Sequence, residues 1–210
     1  MSTAGRPDFS GGVAELGVAG RPIPGEIDSG DMHVVASYQS GLLCAVIDGL
    51  GHGPEAAVAA RRAAGLLSDA PGRPVRELVE QCHAALRSTR GAVMTLAAID
   101  AASDRLTWTG VGNVEAVLWR ATPDAVPARE AIVSRAGVVG YQLPALREVT
   151  LSIASGDVLA IATDGINHDF ILESPLQMSA QDYANSVLDR YGEESDDALV
   201  LVARFLGRSP

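Results

Sequence analysis

The sequence predicts an α+β fold built mainly on antiparallel sheet. Three observations carry that reading. Most strand-like runs are short and follow one another across turn residues rather than across helices. Only three segments carry helical spacing, and two of these are consecutive. No internal repeat and no linker divides the 210 residues, a length that suits one domain with a substantial core. Strands, two helices, more strands, a helix and a last strand do not alternate as a parallel βαβ sheet would require.

The elements follow in order. Residues 1–12, rich in Gly, Ser and Pro, are expected to form a flexible N-terminus, with a single domain over 13–210. Val13 to Val18 reads as a strand that Arg21-Pro-Ile-Pro-Gly ends. Met32 to Tyr38 and Leu42 to Ile47 are two strands around Gln39-Ser40-Gly41. A helix begins near Pro54, where proline suits the first position and Glu55 lies in the favourable first turn. Pro71-Gly72-Arg73-Pro74 separates it from a second helix over about Val75 to Arg87, with Val75, Leu78, Val79, Cys82 and Leu86 on one face. Strand-like runs then cover Ala92–Ile99, Arg105–Thr109, Val114–Arg120, Ala131–Val133, Val149–Ile153 and Val158–Ala162, with a surface loop over Ala121–Arg129. A helix over Ala180–Arg190 and an apolar strand over Ala198–Phe205 complete the chain.

Composition narrows the function. Hydrophobic residues make up 47% and charged residues 20%, as in a soluble globular chain. The net charge of −10 repels nucleic-acid phosphates and anionic lipid, so neither nucleic acid nor membrane is an expected partner. Cys44 lies inside an apolar run and reads as a buried thiol; no secretory pattern opens the chain, so the expected location is cytoplasmic.

Four acidic positions stand at strand ends. If the first hairpin turns through Gln39-Ser40, paired positions sum to 79, and Asp31 faces Asp48. Directly opposed residues have Cβ atoms about 4.5–5.5 Å apart, where like charges repel unless a cation lies between them. Val158–Thr163 ends at Asp164-Gly165, and Asp196-Asp197 opens the last strand. If those two strands are antiparallel neighbours, all four corners meet on one rim. Carboxylate oxygens favour Mg²⁺ or Mn²⁺, and paired ions can bind phosphate and activate water. Any one Asp-Gly is also ordinary turn chemistry. Here Asp48 and Asp164 both follow a buried strand and both precede Gly, which lets a carbonyl approach a metal closely.

At these residues the sequence resembles the metal-dependent PPM protein phosphatases, in particular their compact SpoIIE-like group. Ser29-Gly30-Asp31, Val46–Gly53, Gly91–Thr95, Ser155–Gly165 and Asp196–Leu199 resemble successive motifs of that family. Asp48-Gly-Leu-Gly-His-Gly53 and Gly110-Val-Gly-Asn-Val-Glu115 are similar to its stressosome serine phosphatases. The resemblance implies a β-sandwich of two antiparallel sheets flanked by α-helices. It implies two Mn²⁺ or Mg²⁺ ions, with Asp48 bridging them, the Gly49 carbonyl on one, Asp164, Asp196 and Asp197 in the ligand set, and Asp31 acting directly or through water. It also implies phosphorylated STAS-domain stressosome proteins as substrates, a role in negative feedback of bacterial stress signalling, and a monomer.

The sequence departs from the family twice. Leu199 stands where the last motif commonly has Thr. Leu50 stands where larger relatives carry a proposed general acid His. His52 therefore reads either as a general acid or as loop support, and its position favours the second. His168 borders the cleft or starts a helix in Asn167-His168-Asp169. Two other readings keep the same fold: a non-catalytic pseudophosphatase module, and a hydrolase of small phosphoesters.

Overall fold

The computed structural model describes residues 12–39 and 41–207; the expectation for 1–12 lies outside them except at Gly12. Among the described residues ten strands form two five-stranded antiparallel sheets. In chain order the strands are β1 (Ala14–Arg21), β2 (Asp31–Tyr38), β3 (Gly41–Gly49), β4 (Ala92–Asp100), β5 (Arg105–Val111), β6 (Glu115–Trp119), β7 (Arg129–Ala131), β8 (Val149–Ser152), β9 (Val158–Ala162) and β10 (Ala198–Phe205). The helices are α1 (Pro54–Asp69), α2 (Val75–Leu86) and α3 (Ala180–Tyr191), with a short 3-10 turn at His168–Leu172. One sheet has the order β1-β10-β9-β6-β7 and the other β2-β3-β4-β5-β8.

The layers run helix, sheet, sheet, helix. Between the sheets lie Cys44, Val46, Trp108, Leu159, Ile161 and Phe205. Leu43, Ile47, Leu67, Leu78, Met94 and Leu96 fill the space under α1 and α2. Trp119, Phe170, Tyr183, Val187 and Val200 fill the space under α3. β3, β9 and β10 are apolar on both faces because each sheet is covered on both sides, so they read as continuous hydrophobic runs rather than alternating ones.

Register follows the hairpin arithmetic. Asp31 pairs with Asp48, and Tyr38 with Gly41. β9 and β10 are antiparallel neighbours, with Ala162 opposite Val200, so their acidic ends fall together. The expected strand over Ala131–Val133 lies earlier. Arg129 pairs with Trp119, and β7 ends at Ala131. The Ile132 N–H still donates to the Ala116 carbonyl, its opposite on β6; beyond it the chain crosses to β5, where the Arg135 N–H donates to the Gly110 carbonyl.

Two close approaches aim the acidic ends. A Cβ on Gly49 would lie 2.2 Å from the Ala56 carbonyl oxygen, so only glycine lets α1 cross the end of β3 at this distance. The buried alanines 56, 57, 59, 60, 63 and 64 give α1 the narrow face that makes that approach possible. Gly165 has the same role at the second corner, where a Cβ would fall 1.9 Å from the Asp197 carbonyl oxygen.

Candidate metal centre

The structure brings the predicted carboxylates to one rim, where the ends of β2, β3, β9 and β10 converge. Asp31 is buried, at 6% exposure, and stands directly opposite Asp48. Burial pushes the Asp31 carboxyl up to about 7; the Thr163 hydroxyl pulls it back, and Asp197, Asp164 and Asp196 add repulsion. Asp48 is pushed up to about 8, first by burial, then by repulsion from Asp31, Asp164 and Asp196. Asp164 is also raised, by burial and then by Asp196, while the Asn113 amide opposes the shift. Like charges this close favour the neutral acid unless a cation is shared between them.

Each corner has its own support. Thr163 Oγ1 donates to Asp31 Oδ2 at 2.7 Å and accepts from the Leu199 N–H at 2.9 Å, tying the two sheets together beneath the rim. Asn113 Nδ2 donates to Asp164 Oδ2 at 2.6 Å. Asp196 is half-buried and accepts from the Asp197 N–H at 2.8 Å. Among the described residues no hydrogen bond or ion pair reaches the Asp48 carboxylate.

Asp197 departs from the expected ligand set. It is only 3% exposed, and its Oδ1 and Oδ2 each accept from a backbone N–H at 2.7 Å, those of Ile23 and Gly30. A carboxylate held this way fixes the segment between β1 and β2, and so carries Asp31 to its place. Of the adjacent pair, Asp196 is the one left facing the rim.

His52 points away from the cluster, with Nδ1 3.5 Å from Glu26 Oε1 on the outer loop. Thr163, Asn113 and Glu115 are candidate-site residues to which sequence reasoning assigned no role, and His168, read above as bordering the cleft or starting a helix, stands at the cleft against Glu115. His168 Nδ1 lies 2.7 and 2.6 Å from the two Glu115 oxygens. Asn113 and Glu115 both belong to the Gly110–Glu115 run singled out above, which was the available signal. Thr163 directly precedes Asp164, but nothing local marks its hydroxyl as reaching the other sheet. A groove of about 370 Å³ opens beside Asn113 and Glu115, with His168 and Ile171 on one wall and Ile132 to Ser134 on the other.

The donor set fits a hard divalent cation. Asp31 and Asp48 are opposed and largely buried, and none of the described ion pairs includes Asp31, Asp48, Asp164 or Asp196. The Gly49 carbonyl oxygen points into the same corner, 3.2 Å from where a Cβ on Gly30 would sit. Among the described residues no three His, Cys, Asp or Glu side chains stand close enough together to hold an ion by themselves. Mg²⁺ keeps several waters and needs only one or two carboxylates, so the opposed pair is the part of the set that fits it.

Comparison with known proteins agrees with this geometry. The family model described as "Stage II sporulation protein E (SpoIIE)" matches residues 39–206. Phosphoserine phosphatase RsbX of Bacillus subtilis (strain 168) is 26% identical over 140 residues, which are 66% of this chain and 67% of that one. A chain of the solved structure described as "The bacterial stressosome: a modular system that has been adapted to control secondary messenger signaling" is 30% identical. It covers 91% of this chain and 99% of its own length at a TM-score of 0.82. RsbX in complex with magnesium superposes with a TM-score of 0.79 at 23% identity, covering 91% and 95% of the two chains. The PP2C domain of SpoIIE from Bacillus subtilis does so with 0.74 at 20%, covering 94% and 63%. The β-sandwich with its flanking helices and the family match lead to one statement: the chain belongs to the SpoIIE family and is a serine/threonine phosphatase of the metal-dependent PPM type.

Proposed function

We propose that this protein removes phosphate from phosphoserine or phosphothreonine of STAS-domain stressosome proteins, acting as a monomer in the cytoplasm with two Mn²⁺ or Mg²⁺ ions. The observation that carries the reading of the site is the opposed pair Asp31–Asp48, raised by burial and left without a cationic partner among the described residues. The kinship with RsbX and with a stressosome structure supports the choice of substrate, and with it a role in feedback on stress signalling. Among the described residues no helix is long and apolar enough to cross a membrane.

Asp48 lies centrally and would be shared between the ions, with the Gly49 carbonyl beside it. Asp164 and Asp196 would hold the β9–β10 side. Asp31 would take part directly or through water, held in its rotamer by Thr163. Bound divalent ions supply a polarised phosphate and a water acidic enough to act as a nucleophile. The protein holds these carboxylates at or just beyond the ends of paired strands, which limits their movement, so little reorganisation is needed when charge develops. Asn113 holds Oδ2 of Asp164 and would thereby orient the carboxylate towards a bound ion, a supporting contact of the kind that commonly changes affinity or activity by about 10–100-fold.

The test is phosphate release from phosphoseryl STAS-domain proteins with Mn²⁺, beside free phosphoserine. Release from the phosphoprotein that chelator abolishes, with little from the free amino acid, is the expected result. Comparable turnover of both would point to a small-molecule hydrolase, and activity in excess chelator would remove the metal mechanism.

A further inference from the structure

Two cross-links tie the β5–β6 corner to the segment that follows β9. Asn113 Nδ2 donates to Asp164 Oδ2 at 2.6 Å. Two residues on, both oxygens of Glu115 take His168 Nδ1, at 2.7 and 2.6 Å. Glu115 is fixed by its own ladder position opposite Ala162. Residues two apart in a chain are separated by at most roughly 7 Å. The two cross-links are thus anchored on that side at backbone positions no more than roughly 7 Å apart.

The geometry leaves the imidazole ready for use. With Nδ1 on Glu115, Nε2 has no partner among the described residues, and the side chain is 64% exposed at the mouth of the groove that Asn113 also lines. A carboxylate on one ring nitrogen sets the ring's orientation and leaves the other nitrogen facing outward. Of the charged groups on the elements packed here, Glu115 on β6 holds the ring, Asp164 and Asp169 belong to the same segment of chain, Glu193 accepts from the Asn167 amide, and Arg129 on β7 donates to the Ile171 carbonyl. The other histidine near the rim, His52, is turned towards Glu26 on the outer loop.

We propose that His168, oriented by Glu115, is the acid that protonates the leaving seryl oxygen; this rests on the phosphatase reading of the neighbouring carboxylates. In the step, the oxygen of water forms a bond to phosphorus and the bond from phosphorus to the seryl oxygen breaks. The electron pair stays on the seryl oxygen, which takes the proton from Nε2. Serine and inorganic phosphate result. The attacking water gives one proton to solvent, and solvent returns one to His168.

Leaving-group dependence provides the test. An alkyl phosphate such as a phosphoseryl peptide needs the proton, whereas p-nitrophenyl phosphate releases a stable anion and does not. Wild-type turnover of p-nitrophenyl phosphate with Mn²⁺, measured first, tests the phosphatase reading on its own. His168→Asn is expected to lower kcat on the phosphoseryl peptide by about 100-fold or more, the usual scale of acid catalysis, while leaving p-nitrophenyl phosphate within about threefold. Glu115→Gln, which keeps a hydrogen-bond partner but removes the charge, should give an intermediate loss of roughly tenfold on the peptide alone. His168 is exposed and the Glu115 side chain reaches solvent from a half-buried position, so thermal midpoints should stay near the wild-type value. Equal losses on the two substrates, or no loss on either, would overturn the assignment.

Discussion

Asp48-Gly49 and Asp164-Gly165 look alike as sequence, each a buried strand ending in Asp-Gly, yet the structure treats them differently. Both glycines are required because a backbone presses against them: α1 at Gly49, and the residue opening β10 at Gly165. The aspartates differ. Asp48 is half-buried, faces another carboxylate and has no protein partner among the described residues. Asp164 is exposed and is held by Asn113. One corner stores unfavourable electrostatics that a cation would relieve, whereas the other is positioned by a hydrogen bond. Identical local motifs therefore share a place in the fold without sharing an energetic role.

The largest expected effect comes from breaking the first corner. Asp48→Asn should lower Mn²⁺-dependent hydrolysis of p-nitrophenyl phosphate by on the order of 10³-fold. The same change should stabilise the metal-free protein. Asp31 and Asp48 rise from 3.8 to about 7 and about 8 in the folded state. The folded state therefore keeps protons that the unfolded state gives up, and metal-free stability falls as pH rises from about 4 to about 8. Thermal melts of chelated protein should show that decline in the wild type and a flatter profile in Asp48→Asn. Added Mg²⁺ should raise the wild-type midpoint at pH 8 by an amount that grows with its concentration. A flat wild-type profile would contradict the stored repulsion.

Breaking the second corner should cost less. Asn113→Ala leaves Asp164 in place but loose, and a loss of about 10–100-fold, with more Mn²⁺ needed for half-activity, is expected from activity titrations. If Asn113→Ala matched Asp48→Asn, the two corners would not differ as described.

Asp196 and Asp197 sharpen the contrast between liganding and positioning. Asp197→Ala strips two backbone N–H groups of their acceptor and should cost about 2 kcal/mol in urea unfolding. Asp196→Ala should leave unfolding nearly unchanged and weaken metal binding measured by calorimetry. The reverse pattern would exchange their roles. Smallest of all, His52→Gln should change activity by less than about threefold, since its one ionic contact among the described residues is an exposed one at 3.5 Å.

Much of this site was legible in the sequence. The pairing of Asp31 with Asp48 followed from the hairpin's length, because a tight turn fixes register and register fixes which side chains meet. The Asp164 and Asp196 corners followed from where buried runs begin and end. β7 was misplaced because Ile132 and Val133 have strand-forming side chains, yet pairing with β6 ends after the Ile132 N–H meets Ala116, and the Arg135 N–H is given to Gly110 on β5. Asp197 looked like a twin of Asp196, and only burial and two backbone donors separate them.

What the sequence determined by itself is the set of elements and the ends they place side by side, since hydrophobic periodicity and turn chemistry act over a few residues. Only the tertiary structure decided which groups support the carboxylates. Thr163 reaches Asp31 across 132 positions, and Glu115 reaches His168 across 53. Such contacts depend on how two sheets stack and where loops cross their ends, and a hydrogen bond between distant segments leaves no periodic trace in either one.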